Sequence, residues 1–76
     1  MNSRISINPN ICHGKPVIKG TRVLVQNILS SLASGETIDE ILEDYPNISK
    51  EDIFAALELG SELSSFKTYP YENIAS

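Results

Sequence analysis

The sequence predicts a mainly α protein: a three-helix, helix-turn-helix-like bundle behind a short N-terminal β arm. Three observations carry that expectation. Apolar residues recur at helical spacing in three successive segments from Val25 onward. Capping residues stand at the joints between those segments, while Pro9, Gly14, Pro16 and Gly20 crowd the stretch before them. Charge is also divided: Arg4, Lys15, Lys19 and Arg22 precede every acid, and from Glu36 onward ten acids face only Lys50 and Lys67. Residues 1–24 read as the β-rich arm, 25–63 as the bundle and 64–76 as an aromatic tail, one domain in all.

The elements follow in order. Ser3-Arg4-Ile5-Ser6-Ile7 alternates polar and apolar, the pattern of a short half-buried strand. Asn8-Pro9-Asn10 ends it, because proline cannot donate to a ladder and Asn favours turns. Pro16 keeps the segment after Cys12-His13-Gly14 out of a helix. Val17-Ile18 and Arg22-Val23 flank Lys19-Gly20, where Gly20 can supply a positive φ, so a miniature hairpin is expected.

The first helix has Val25, Ile28, Leu29, Leu32 and Ala33 on one stripe and stops before Gly35. Thr37-Ile38-Asp39-Glu40 reads as a capping box opening a second helix. Its stripe is Ile38, Ile41, Leu42 and Tyr45, and Pro46 stops it. Ser49 caps the third, whose first turn carries Glu51 and Asp52, well placed against the helix dipole. That helix is expected to run to about Leu63.

On a helical wheel the third helix turns Ile53, Ala56, Leu57 and Gly60 inward as a narrow stripe. Leu59 and Leu63 widen it on one side and Phe54 lies beyond it on the other. One small core cannot take all three, so Phe54, Leu59 and Leu63 are candidate partner contacts, unless the tail folds back over them. Glu51, Glu58 and Glu62 gather on the remaining face, which reads as solvated surface. A recognition helix needs Arg, Lys, Asn or Gln in the major groove, and phosphates repel this one. Any contact with DNA therefore falls to Arg4, Lys15, Lys19 and Arg22. Arg22 suits either a phosphate or a carboxylate of the second helix. The tail has no helical period yet holds Phe66, Tyr69 and Tyr71, three of the five aromatics. Terminal segments are usually polar, so these residues join the candidate partner contacts.

Composition narrows the chemistry. A chain of 76 residues buries only about 60% of its unfolded surface, which favours self-association or a bound partner. A net charge of −4 argues against indiscriminate nucleic-acid binding. There is no apolar run of membrane-spanning length and no secretory leader in the first fifteen residues. The lone cysteine, Cys12, fits a reducing cytoplasm. Cys12-His13 lacks the further ligands a metal needs and the orienting third group a nucleophile needs. Gly14-Lys15 and Gly20-Thr21 lack the spacing of a phosphate loop, and Pro16 removes an amide from it. No catalytic residue, metal or cofactor is expected.

Taken together, Gly14-Lys15-Pro16-Val17-Ile18-Lys19-Gly20-Thr21-Arg22-Val23 with Gly35, Ile41, Tyr45-Pro46, Asp52-Ile53 and Ala55-Ala56-Leu57 resemble domain of unknown function 433 over about residues 4–63. Leu24 departs from the Pro that members often carry there. The resemblance implies a homeodomain-like three-helix bundle with an N-terminal β arm. It also implies an antitoxin of a type II toxin–antitoxin pair, partnered with a PIN-like ribonuclease. A homodimer is expected, and DNA-binding autoregulation through the basic arm is a second expectation that can coexist with that role. PIN-like sites are carboxylate clusters around a divalent metal, so Lys67 between Phe66 and Tyr69 is the cation an inhibitor would offer. The alternatives are a stand-alone DNA-binding transcriptional regulator and a dimeric protein-interaction module.

Overall fold

Local signals set the helix boundaries. The computed structural model describes the backbone of residues 2–66 and the side chains of residues 2–64. Helix α1 spans Val25–Ala33 and closes in a Schellman motif: Gly35 N–H donates to the Leu32 carbonyl at 3.0 Å and Glu36 N–H to Ser31 at 3.1 Å. Gly35 takes the positive φ, 99°, that this closure requires. Helix α2, Ile38–Asp44, opens with the expected capping box. Thr37 N–H donates to Glu40 Oε1 at 2.8 Å, and Glu40 N–H to Thr37 Oγ1 at 3.1 Å.

Helix α3, Lys50–Phe66, opens with a second reciprocal cap. Ser49 N–H donates to Asp52 Oδ2 at 2.9 Å and Asp52 N–H to Ser49 Oγ at 3.3 Å. Ile48 and Ile53 bracket that cap and both enter the core, the arrangement of a hydrophobic staple. The helix continues three residues past the expected Leu63, because no proline or glycine stops it before Pro70.

The arm forms its strands by pairing across a distance in sequence. Strand β1, Ile5–Ser6, runs antiparallel to β2, Val17–Ile18, with Ile5 opposite Ile18 and Ser6 opposite Val17. The miniature hairpin is also present. Thr21 N–H donates to the Ile18 carbonyl at 3.0 Å with Gly20 at φ 80°, and Ile18 N–H donates to the Val23 carbonyl at 2.9 Å. Val17 forms a single bridge to Leu24, so β2 is bonded on both edges. Ile5 is buried but Ile7 is not, because the pairing stops at Ser6 and the alternation of residues 3–7 loses its partner. Between the strands Cys12, His13 and Gly14 make one left-handed turn, at φ 50°, 58° and 80°.

One isoleucine from each helix, Ile28, Ile41 and Ile53, is fully buried, and Ile5 and Ile18 of the arm close the same core. Helix α3 packs on α1, α2 and β1. Its inward face is rotated from the one the wheel gives. Ile53, Ala55, Ala56 and Leu59 are buried, while Leu57 is 43% exposed. The buried side takes in Ala55 and Leu59 and leaves Leu57 out. Gly60 leaves room for Leu29, whose Cδ1 would stand 3.3 Å from an added Cβ. Leu59, expected as a partner contact, is thereby a core residue.

Candidate functional site

Two surfaces meet at Arg4. On the first, strand register gathers charge. Ile5 and Ile18 point inward opposite one another, so their neighbours Arg4 and Lys19 point outward on adjacent strands. Lys19 N–H donates to the Arg4 carbonyl at 2.8 Å. Arg22 precedes Val23 on the next backbone segment and is also exposed. Three of the four basic candidates thus occupy three neighbouring segments. Lys15 is exposed at the opposite end of β2, beyond the left-handed turn. No carboxylate of α2 lies within ion-pair distance of Arg22, which leaves its phosphate option open.

Arg4 is not a free cation. Its Nη1 donates to Asp52 Oδ1 at 3.0 Å, and the two side chains are 50% and 12% exposed. Asp52 therefore works with both oxygens, one capping α3 and the other holding the arm. Its burial raises the pKa, but hydrogen bonds from the Ser49 backbone, the Arg4 guanidinium and the Ser49 side chain outweigh it. The Coulombic attraction of Arg4 adds to them, and the carboxyl sits below its ordinary 3.8. Sequence reasoning placed Asp52 in a helix turn and missed the anchor. Arg4 lies 48 positions away, and no local pattern signals such a pair.

The second surface is a groove between the start of the arm and α3. Asn2 and Arg4 form one wall; Glu51, Phe54, Ala55 and Glu58 form the other. Those four α3 positions follow the i, i+3, i+4, i+7 rule, so one helix face lines the groove. Asn2 Nδ2 bridges the walls, donating to the Ala55 carbonyl at 3.3 Å and to Glu58 Oε1 at 3.0 Å. Phe54 lies half exposed over the groove, with Leu57 exposed one turn further along the helix. Of the partner candidates, Phe54 and Leu63 are exposed and Leu59 is not. Phe66 ends α3, and Lys67, Tyr69 and Tyr71 lie outside the described residues. The groove residues Asn2, Glu51 and Glu58 were not among the candidates, although the helical spacing of 51, 54, 55 and 58 held the signal.

Among the described residues no three His, Cys, Asp or Glu side chains gather in a metal-holding arrangement. Cys12 is half-buried with Sγ 3.8 Å from the Arg22 carbonyl, and among the described residues no helix is long and apolar enough to cross a membrane.

A family profile described as "Protein of unknown function (DUF433)" matches residues 5–59. The chain belongs to the DUF433 family. A crystal structure of a DUF433 member protein from Anabaena variabilis ATCC 29413 superposes with a TM-score of 0.74 at 30% identity. The match covers 78% of this chain and 58% of that one. The uncharacterized protein y4eO of Sinorhizobium fredii (strain NBRC 101917 / NGR234) is 37% identical over 49 residues. That alignment takes in 64% of this chain and 22% of y4eO, so the chain spans about a fifth of its relative's length. The three-helix bundle and β arm of this DUF433 protein agree with the fold expected from its sequence.

Proposed function

We propose that this DUF433 protein is a non-enzymatic, cytoplasmic antitoxin-type binding protein that neutralises a PIN-like ribonuclease. The observation that carries the reading is the outward face of α3. Phe54 and Leu57 stand exposed there beside Glu51 and Glu58, on a helix whose other face already fills the core. A small domain that leaves an aromatic ring and a leucine in solvent on a rigid helix presents a protein contact surface. The acids on that face disfavour nucleic acid as its ligand. Self-association is assigned to Leu63, which continues the buried side of α3 past the end of the bundle.

Co-expression with the product of the neighbouring reading frame, purified by a tag on this chain, tests the proposal. Co-purification and rescue of growth are expected. Failure of both overturns it.

A second reading, autoregulation through DNA, is favoured by the row Arg4, Lys19 and Arg22. With Arg4 committed to Asp52, Lys19 and Arg22 supply most of the attraction. A gel shift on the chain's own promoter is expected to weaken steeply with salt, and to weaken further when both are changed to Ala. Binding indifferent to those changes refutes it.

A further inference from the structure

The groove between residues 2–4 and α3 has a charge and a shape that specify more than a generic contact. Glu51 has no hydrogen-bond or ion-pair partner among the described residues, and Glu58 uses only Oε1, on Asn2. The positive charge of Arg4, on the facing wall, is matched by Asp52. Two carboxylates two turns apart on one helical face, about 10 Å along the axis, are thus left without a cation, with the Phe54 ring 49% exposed between them in sequence. An apolar side chain alone would strand both carboxylates against it. A neutral polar group would leave the ring wet. A cationic side chain with an aliphatic stem satisfies both, since its stem packs on the ring while its head meets the carboxylates.

We propose that this groove receives an arginine or lysine side chain from a basic segment of the protein partner, the cation lying between Glu51 and Glu58 and its stem crossing Phe54. The proposal rests on the partner-binding reading above and names the chemistry of the contact. Arginine is the better occupant, because its planar fork bonds a carboxylate with two donors and stacks on an aromatic ring. A second copy of this chain is the poorer one. Among the described residues its unpaired cations are Lys15, Lys19 and Arg22 on the arm and Lys50 at the start of α3, so docking an arm cation into a neighbour's groove joins unlike patches.

The test titrates the full 15N-labelled chain with three synthetic helix-forming peptides of alanine and leucine. They carry two arginines, two lysines or two glutamates at matched positions. Amide shifts at Asn2–Arg4 and along Glu51–Glu58 are expected with the arginine peptide, weaker with lysine and absent with glutamate. Affinity is expected to fall about tenfold or more in the Glu51→Gln/Glu58→Gln double variant and in Phe54→Ala, and to fall with added salt. These residues are exposed, so unchanged circular dichroism separates lost binding from lost folding. Equal binding of the glutamate peptide, or shifts confined to the Leu63 end, overturns the proposal. Concentration-dependent shifts in the groove without peptide make a second copy the occupant and also overturn it.

The two readings fail separately. If the arginine peptide binds but no neighbouring ribonuclease co-purifies, the antitoxin reading falls alone. If the ribonuclease co-purifies undiminished with the groove variants, the groove proposal falls alone.

Discussion

Residues 25–66 and residues 2–24 share one core but reach it by different routes. In the helical half three boundaries are made by residues within five positions of them: the Gly35 closure, the Thr37–Glu40 box and the Ser49–Asp52 box. In the arm the ordering contacts are remote, with Ile5 paired to Ile18, Arg4 tied to Asp52 and Asn2 tied to Ala55 and Glu58. Strands of two residues have no independent stability, so the arm is ordered by docking on α3. The difference teaches that Arg4 and Asp52 do for the arm what capping does for the helices. It also means that the basic row and the acidic groove share one structural support.

The comparison is broken most forcefully from the core. Ile53→Ala, at a position with no solvent exposure, is expected to cost about 2–5 kcal/mol in urea unfolding, enough to unfold much of so small a domain. Ile18→Ala in the arm, 2% exposed, is expected to cost a similar amount if the arm is a wall of the same core. A much smaller loss at Ile18, with no change in the helical transition, shows instead that the arm opens by itself.

Next comes the tether. Asp52→Ala removes the α3 cap and the arm anchor together, and about 1–3 kcal/mol is expected. Arg4→Ala, whose side chain is half exposed, is expected to cost only about 0.2–1 kcal/mol. A double-mutant cycle isolates the pair. The pH dependence has a definite sign. Because the folded Asp52 carboxyl lies below 3.8, its contribution is full above that value and is lost as pH falls through the lower folded value. Urea midpoints measured from pH 5 down to pH 2 are expected to fall less steeply in Asp52→Asn than in the parent chain.

The same division decides what was legible in the sequence. Helix α2 was readable to its cap because Thr37 and Glu40 are three residues apart and the chemistry of capping is local. The turn at Lys19-Gly20 was readable for the same reason. The strand pair β1–β2 was legible only as a tendency of residues 3–7, since nothing near Ile5 announces Ile18. The inward face of α3 was misjudged at Ala55, Leu57 and Leu59 because a wheel drawn on α3 alone cannot see on which side α1, α2 and β1 pack. The basic residues were found as types. Their alignment at Arg4, Lys19 and Arg22, and the loss of Arg4 to Asp52, came only with the strand register.

Two glycines sharpen the comparison at intermediate cost. Gly35 at φ 99° closes α1 and Gly20 at φ 80° turns the arm hairpin, and neither has a neighbour that an added Cβ would strike. Alanine at either is therefore penalised by backbone strain alone, about 1–2 kcal/mol. Gly35→Ala is expected to lower global stability by that amount. In Gly20→Ala hydrogen exchange is expected to rise first at Ile18 and Val23, whose hydrogen bond spans the turn.

The smallest expected change discriminates most sharply between the two pictures of α3. On the helical wheel Leu57 joins Ile53 in the core, and replacing it by Gln would strand a polar amide there at a cost of several kcal/mol. In the structure Leu57 is 43% exposed, one turn beyond Phe54 on the outward face. Gln has nearly the helix propensity of Leu, so Leu57→Gln is expected to stay within about 0.5 kcal/mol of the parent in urea unfolding. Loss of partner binding without loss of stability places Leu57 in the interface. A large stability loss instead returns it to the core, and with it the rotation of α3 on which the groove beside Phe54 depends.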